Sequence, residues 1–130
     1  MATITADKIL ESGFTSSPAA CNTGGDEFSN SGIEFLKIEN THASQAYNVT
    51  VVAQTTSIIN LDYGQLTKSN IVKEVAAGNT AYIGPFKQRA YNDADQNVQL
   101  TYLTTGGAAL STVSSGAHAL TVEVLYLEQI

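Results

Sequence analysis

The sequence predicts an all-β chain, an antiparallel β-sandwich of jelly-roll or immunoglobulin-like type, on three observations. Short apolar runs recur from Ile33 to Leu127, several of them alternate apolar with polar residues, and clusters of Gly, Asn, Asp, Ser and Pro separate them. Alternation with period two is the mark of a half-buried strand, and seven or so such runs divided by turn residues suit two packed sheets. No helix is predicted.

Residues 1 to 32 stand apart from this pattern. Ile4, Ile9, Leu10 and Phe14 are the large apolar residues of the first half of the segment, and Phe14 to Asn30 is dominated by Ser, Gly, Ala, Asn and Thr. Such a composition predicts an extended N-terminal arm over residues 1–32, with a short strand or helical turn near Ala6 to Leu10. The four apolar side chains would otherwise stand in water, so the arm is expected to order against a neighbouring subunit or a surface.

The β-sandwich domain is expected over residues 33–130. Ile33 to Ile38 and Tyr47 to Ala53 read as an antiparallel pair joined through Asn40 to Ser44. Ile58 to Leu61 and Ile71 to Val75 flank a loop, Asp62-Tyr63-Gly64-Gln65. Ala77-Gly78-Asn79 then turns the chain, because Gly tolerates positive φ and Asn bonds its own local backbone. A strand from Thr80 to Ile83 breaks at Gly84-Pro85, since proline lacks the N–H that a ladder requires. After a turn-rich stretch from Tyr91 to Asn97 come Val98 to Leu103, a small-residue loop, and Leu120 to Leu127 with Leu120, Val122, Val124 and Tyr126 on one face.

Composition narrows the function. The chain has 130 residues, enough for one core, and only 14% are charged, so its surface is mainly neutral and polar. Such a surface suits packing against copies of itself or a partner. A net charge of −6 without a basic cluster argues against nucleic acid and against an anionic membrane surface. Cys21 is the single cysteine, expected to be an inert thiol in a flexible segment. With no secretory pattern at the N-terminus, the chain is expected to be made and kept in a cytosol, or released from it by lysis.

No residue set supports a reaction, and no cofactor or metal is expected. Asp93-Ala94-Asp95-Gln96-Asn97 opens like a calcium loop, but Val98 stands where the turn glycine belongs and Thr104 where the bidentate glutamate belongs. Local backbone bonding by the turn is the better expectation. His42 and His118 lack partners at metal-ligand spacing, and neither accompanies a nucleophile motif. Asn48-Val49-Thr50 matches a glycosylation acceptor but falls within a predicted strand. The six tyrosines could form a sugar-binding platform, although alternation turns Tyr102 and Tyr126 toward the core.

Val75, Ala77, Gly78, Thr80, Ile83, Gly84, Pro85 and Phe86, then Tyr91, Asn92, Asp95 and Val98, then the closing strand from Leu120 to Leu127 make up a pattern to which Asn40 to Val52 adds. In this pattern residues 33 to 127 resemble a group of small β-rich structural proteins of tailed-bacteriophage virions. The resemblance implies a virion role, and with the neutral surface it leads to the expectation of a capsid decoration, or cement, protein on the outer surface of the mature head. Its partners would be the major capsid protein and itself, as a trimer ahead of a dimer. Expected contacts are Ile4, Ile9, Leu10 and Phe14, and then Gly106, Gly107 and Leu110 in the loop that runs to Gly116. The alternative expectation is a host-recognition or carbohydrate-binding module of a tail or head fibre.

Overall fold

A computed structural model of the chain describes residues 1–55, 57–60, 62, 64–110 and 119–129. The chain is an all-β domain with two multi-stranded, largely antiparallel sheets. Its strands are β1 (Ala2–Ile4), β2 (Asp7–Ile9), β3 (Ala19–Ala20), β4 (Asp26–Ser29), β5 (Phe35–Asn40), β6 (Tyr47–Val51), β7 (Ser57–Asn60), β8 (Gly64–Thr67), β9 (Ile71–Val75), β10 (Thr80–Ile83), β11 (Asn97–Thr104) and β12 (Leu120–Leu127). Among the described residues a single helical turn, α1 (Gln88–Tyr91), interrupts them.

The first sheet has the order β1-β4-β11-β6-β9, and the second has β10-β5-β12-β2 with β3 also paired to β12. The antiparallel pairs are nested: β4 with β11, β5 with β10, β6 with β9 and β7 with β8. The first three of these pairs fall alternately into the two sheets, and β7 with β8 forms a separate two-stranded sheet.

Alternation puts one residue in two into a common core. Val49 and Val51 of β6, Val98, Leu100 and Tyr102 of β11, Leu36 and Ile38 of β5, and Val122 and Val124 of β12 belong to one cluster drawn from both sheets. Burying each such side chain contributes on the order of 1.5–3 kcal/mol. Phe86 is placed in this core by the break after β10. Gly84 has φ +116°, and a Cβ there would lie 2.9 Å from the Phe86 ring and 3.2 Å from the Phe35 Cα. The cis Gly84–Pro85 bond follows, and Phe86 packs between Phe28 and Tyr91 at centroid distances of 5.9 and 6.1 Å.

Two expectations are corrected. Residues 35–40 and 47–51 do not pair; β5 lies in the second sheet and β6 in the first. The physical reason is the corner built on Asn40, whose Nδ2 donates to the carbonyls of Gln45 and Val75 while its Oδ1 accepts from the His42 N–H. This satisfies the bend locally and sends the chain across to the other sheet. Second, Cys21 sits fully buried in the core, not in a loose segment. Residues 1–32, expected as an arm, contribute β1 to the first sheet and β2 and β3 to the second, with Phe28 of β4 in the core. Ala2, Ala19 and Ala20 pair through backbone alone, which composition does not reveal.

Candidate functional site

The outward face of the second sheet carries a band of apolar side chains. Leu36, Ile38, Val122, Val124, Ala81 and Ile83 face the core, so alternation turns Phe35, Leu125, Leu127 and Tyr82 outward. Register places Phe35 beside Leu125 and Leu127 beside Ile9, and the Phe35 and Tyr82 rings lie 6.5 Å apart. Tyr82 is 65% exposed and Leu127 58%. Soluble domains tolerate scattered exposed apolar residues, but neighbours sharing one sheet face mark a contact surface.

A strap crosses part of this face. Leu10 and Gly13 close a tight turn after β2, and the chain returns toward β3. Ser16 Oγ donates to Glu123 Oε1 at 2.8 Å and the Ser17 N–H to Glu123 Oε2 at 2.6 Å, while Lys37 Nζ donates to Ser16 Oγ. Glu123 and Leu125 are consequently buried although they point away from the core. At the far end of the strap the Glu11 N–H donates to Glu128 Oε2. Ile9, Leu10, Glu11, Leu127 and Glu128 line a shallow cleft of about 220 Å³.

The expected contact residues fall into different settings. Leu10 and Phe14 are exposed, Ile9 is half-buried beside them, and Ile4 packs partly against the core from β1. Gly106 and Gly107 form an exposed turn closed by the Gly107 N–H on the Thr104 carbonyl. Leu110 is buried in the core, so it is not free for a partner; its neighbour Ala109 bridges back to Leu103 and draws it inward. The structure does not bring these two groups together. Thr105 bonds Ala46 near the start of β12, whereas Leu10 sits beyond its end, and eight strand residues span roughly 25 Å. Ser111 to Gly116, His118, Leu61 and Tyr63 lie outside the described residues.

Polar groups inside the fold are committed to structure. The Tyr102 hydroxyl donates to Asp26 Oδ2 at 2.7 Å, and the same oxygen accepts from the Asn22 N–H. Burial, followed by the nearby Cys21 and Asp26, pushes the Tyr102 hydroxyl far above its ordinary range, and burial does the same to the Cys21 thiol. Asn30 Nδ2 donates to the Phe86 carbonyl and to Asn92 Oδ1, and Asn92 Nδ2 returns a bond to the Asn30 carbonyl. Nothing in the Ser- and Gly-rich context of Asp26 and Asn30 singles them out as anchors.

The acidic turn is held by its own backbone. Asp93 Oδ1 accepts from the Asn97 and Asp95 N–H groups and Oδ2 from Gln99 Nε2. The Asn97 bond in particular holds its carboxyl below the usual carboxylate range. His42 Nδ1 accepts from the Ser44 and Gln45 N–H groups. Among the described residues no group of three or more His, Cys, Asp or Glu could hold a metal ion, and no helix is long and apolar enough to cross a membrane. Of the tyrosines described, Tyr47, Tyr91 and Tyr102 are buried and Tyr82 alone is largely exposed. Compared with protein-family models, curated proteins and solved structures, the chain matches none.

Proposed function

We propose that this chain is a capsid decoration protein, a jelly-roll β-sandwich that binds the outside of a mature viral head and bridges its capsid subunits. The observation that carries the reading is the apolar band of Phe35, Tyr82, Leu127 and Leu10 on the second sheet, on a surface otherwise short of charge. Such a face suits persistent attachment to a protein lattice. The nested strand pairs, in which β4 to β7 are matched in reverse order to β8 to β11, favour a jelly roll over an immunoglobulin-like topology. The virion setting rests on the resemblance of residues 33 to 127.

In this role the protein is not an enzyme. It stabilises by linkage: binding the assembled lattice and not the dispersed subunits shifts the equilibrium toward the intact shell. Repetition over many symmetric sites, and a homo-oligomeric form, multiply a modest affinity per site. The two expected contact groups, about 25 Å apart, could reach different capsid subunits from opposite ends of one domain.

Purified particles of the virus that encodes the chain should contain it in a simple ratio to the major capsid protein. Particles stripped of it should lose their genome at a lower temperature and regain resistance when it is added back. A content of a few copies per particle, or stripped heads as heat-resistant as complete ones, would contradict the proposal.

A further inference from the structure

The cleft at the end of β12 combines two unlike features. Its floor is apolar, Ile9, Leu10 and Leu127, and its rim is acidic, Glu11 and Glu128. A second hollow, lined by Leu10, Glu11, Ser12 and Glu128, continues it along the strap. Leu10 and Leu127 stand largely in water, and both glutamates are exposed.

The two carboxylates are not matched within the chain. Glu128 Oε2 accepts the Glu11 N–H, and among the described residues neither side chain has a cationic partner. Lys8, close by in β2, is the Cα partner of Tyr126 and so alternates to the opposite face from Ile9 and Leu127. Within the strands of the second sheet that leaves Lys37, which donates to Ser16 Oγ and stands opposite Glu123, roughly 13 Å along β12 from Leu127. Register adds a third carboxylate to the face, Asp7, the Cα partner of Leu125.

A partner that covers this cleft has to answer both features. A wholly apolar segment would strip water from Glu11 and Glu128 without compensation, and a wholly polar basic one would leave Leu10 and Leu127 unpartnered. We propose that the capsid segment seated here carries a large apolar side chain beside a lysine or arginine, the apolar group on Leu10 and Leu127 and the cation against Glu11 and Glu128. This rests on the decoration reading and gives the chemistry of what the lattice offers to it. The apolar floor supplies persistence, and the acidic rim supplies specificity and speeds the encounter.

The test is cosedimentation with mature heads of the encoding virus at about 0.05 M and about 0.5 M salt, where exposed charges are respectively weakly and strongly screened. Three variants accompany the wild-type chain. Glu11→Gln with Glu128→Gln removes the rim charges and keeps an amide oxygen for the Glu11 N–H. Glu74→Gln with Asp95→Asn removes the same charge from exposed positions elsewhere, and Leu127→Ser removes part of the floor. All are exposed substitutions, and thermal melts confirm that each chain is folded. The rim variant should bind roughly tenfold more weakly than wild type at the lower salt and converge on it at the higher. The Glu74 and Asp95 variant should bind as wild type does, and Leu127→Ser should weaken binding at both salts alike. Wild-type affinity of the rim variant at low salt, an equal loss in the Glu74 and Asp95 variant, or full binding by Leu127→Ser would overturn the inference and leave the decoration reading standing. No wild-type binding to the heads at either salt would overturn both.

Discussion

Tyr102, Asp26 and Cys21 form the polar knot of an otherwise apolar core, and their chemistry gives two predictions. Tyr102→Phe leaves Asp26 Oδ2 with only the Asn22 N–H, and should cost about 1–3 kcal/mol in urea denaturation. The alkaline limb is the second. Both the Tyr102 hydroxyl and the Cys21 thiol are raised in the folded chain, so the protein keeps its protons where the unfolded chain loses them. Stability attributable to them is fully present below the unfolded values, roughly 8.5 for Cys and 10 for Tyr, and is lost as pH rises beyond. The unfolding free energy should therefore fall above about pH 9, by up to ~1.4 kcal/mol per pH unit for each group once its unfolded counterpart ionises, and thermal midpoints should fall with it. A Cys21→Ala chain should show a later and shallower fall, while an unchanged profile would argue against a buried thiol. Alternation in 98–103 made the inward turn of Tyr102 legible, but its acceptor lies 76 residues away in a segment that reads as loose.

Gly84 belongs to the same scale. At φ +116° with a Cβ 2.9 Å from the Phe86 ring, Gly84→Ala should cost on the order of 1–3 kcal/mol, measured by denaturant unfolding. Wild-type stability in that variant would mean that Phe86 can leave its place without loss.

At the scale of elements, strand positions were legible and strand partners were not. Alternation locates β10 and β12 to the residue, because each presents an apolar face to the core, whereas β9 is marked only by apolar residues at its ends. Partnership is nonlocal: β4 meets β11 across most of the chain, and no local pattern encodes that. Asn40, whose side chain bonds three backbone groups, turned an expected hairpin into a crossing between sheets. Of the marginal strands, β2 falls within the stretch from Ala6 to Leu10 where a short strand or helical turn was expected, whereas β1 and β3, made largely of Ala and Thr, lack the apolar period that marks a core strand. The difference is measurable. Amide hydrogens of 2–4 and 7–9 should exchange much faster than those of β11, which lies inside a sheet between β4 and β6. Equal protection would place the N-terminal strands in the same cooperative unit as the core. Replacing Glu123 by Ala removes the acceptor for Ser16 and Ser17, and should further speed exchange at Ser17.

For the whole molecule, the features that matter are one core shared by both sheets, few charges and an apolar band that its own strap covers only in part. Tyr102 with Asp26, and Glu123 with Ser16 and Ser17, are bonded within the fold. The candidate contact surface was half legible: Ile9 and Leu10 were visible as apolar residues without a core to join, but Phe35, Tyr82 and Leu127 join them only through sheet register. Leu10→Ser with Phe14→Ser should leave thermal stability within about 1 kcal/mol, as exposed positions do, while weakening attachment to heads. The most direct measurement is cosedimentation of the purified protein with mature heads of the encoding virus, beside unexpanded shells. The account predicts saturable binding to the mature heads and none to the shells. Absence of binding to mature heads, with the protein folded, would contradict it.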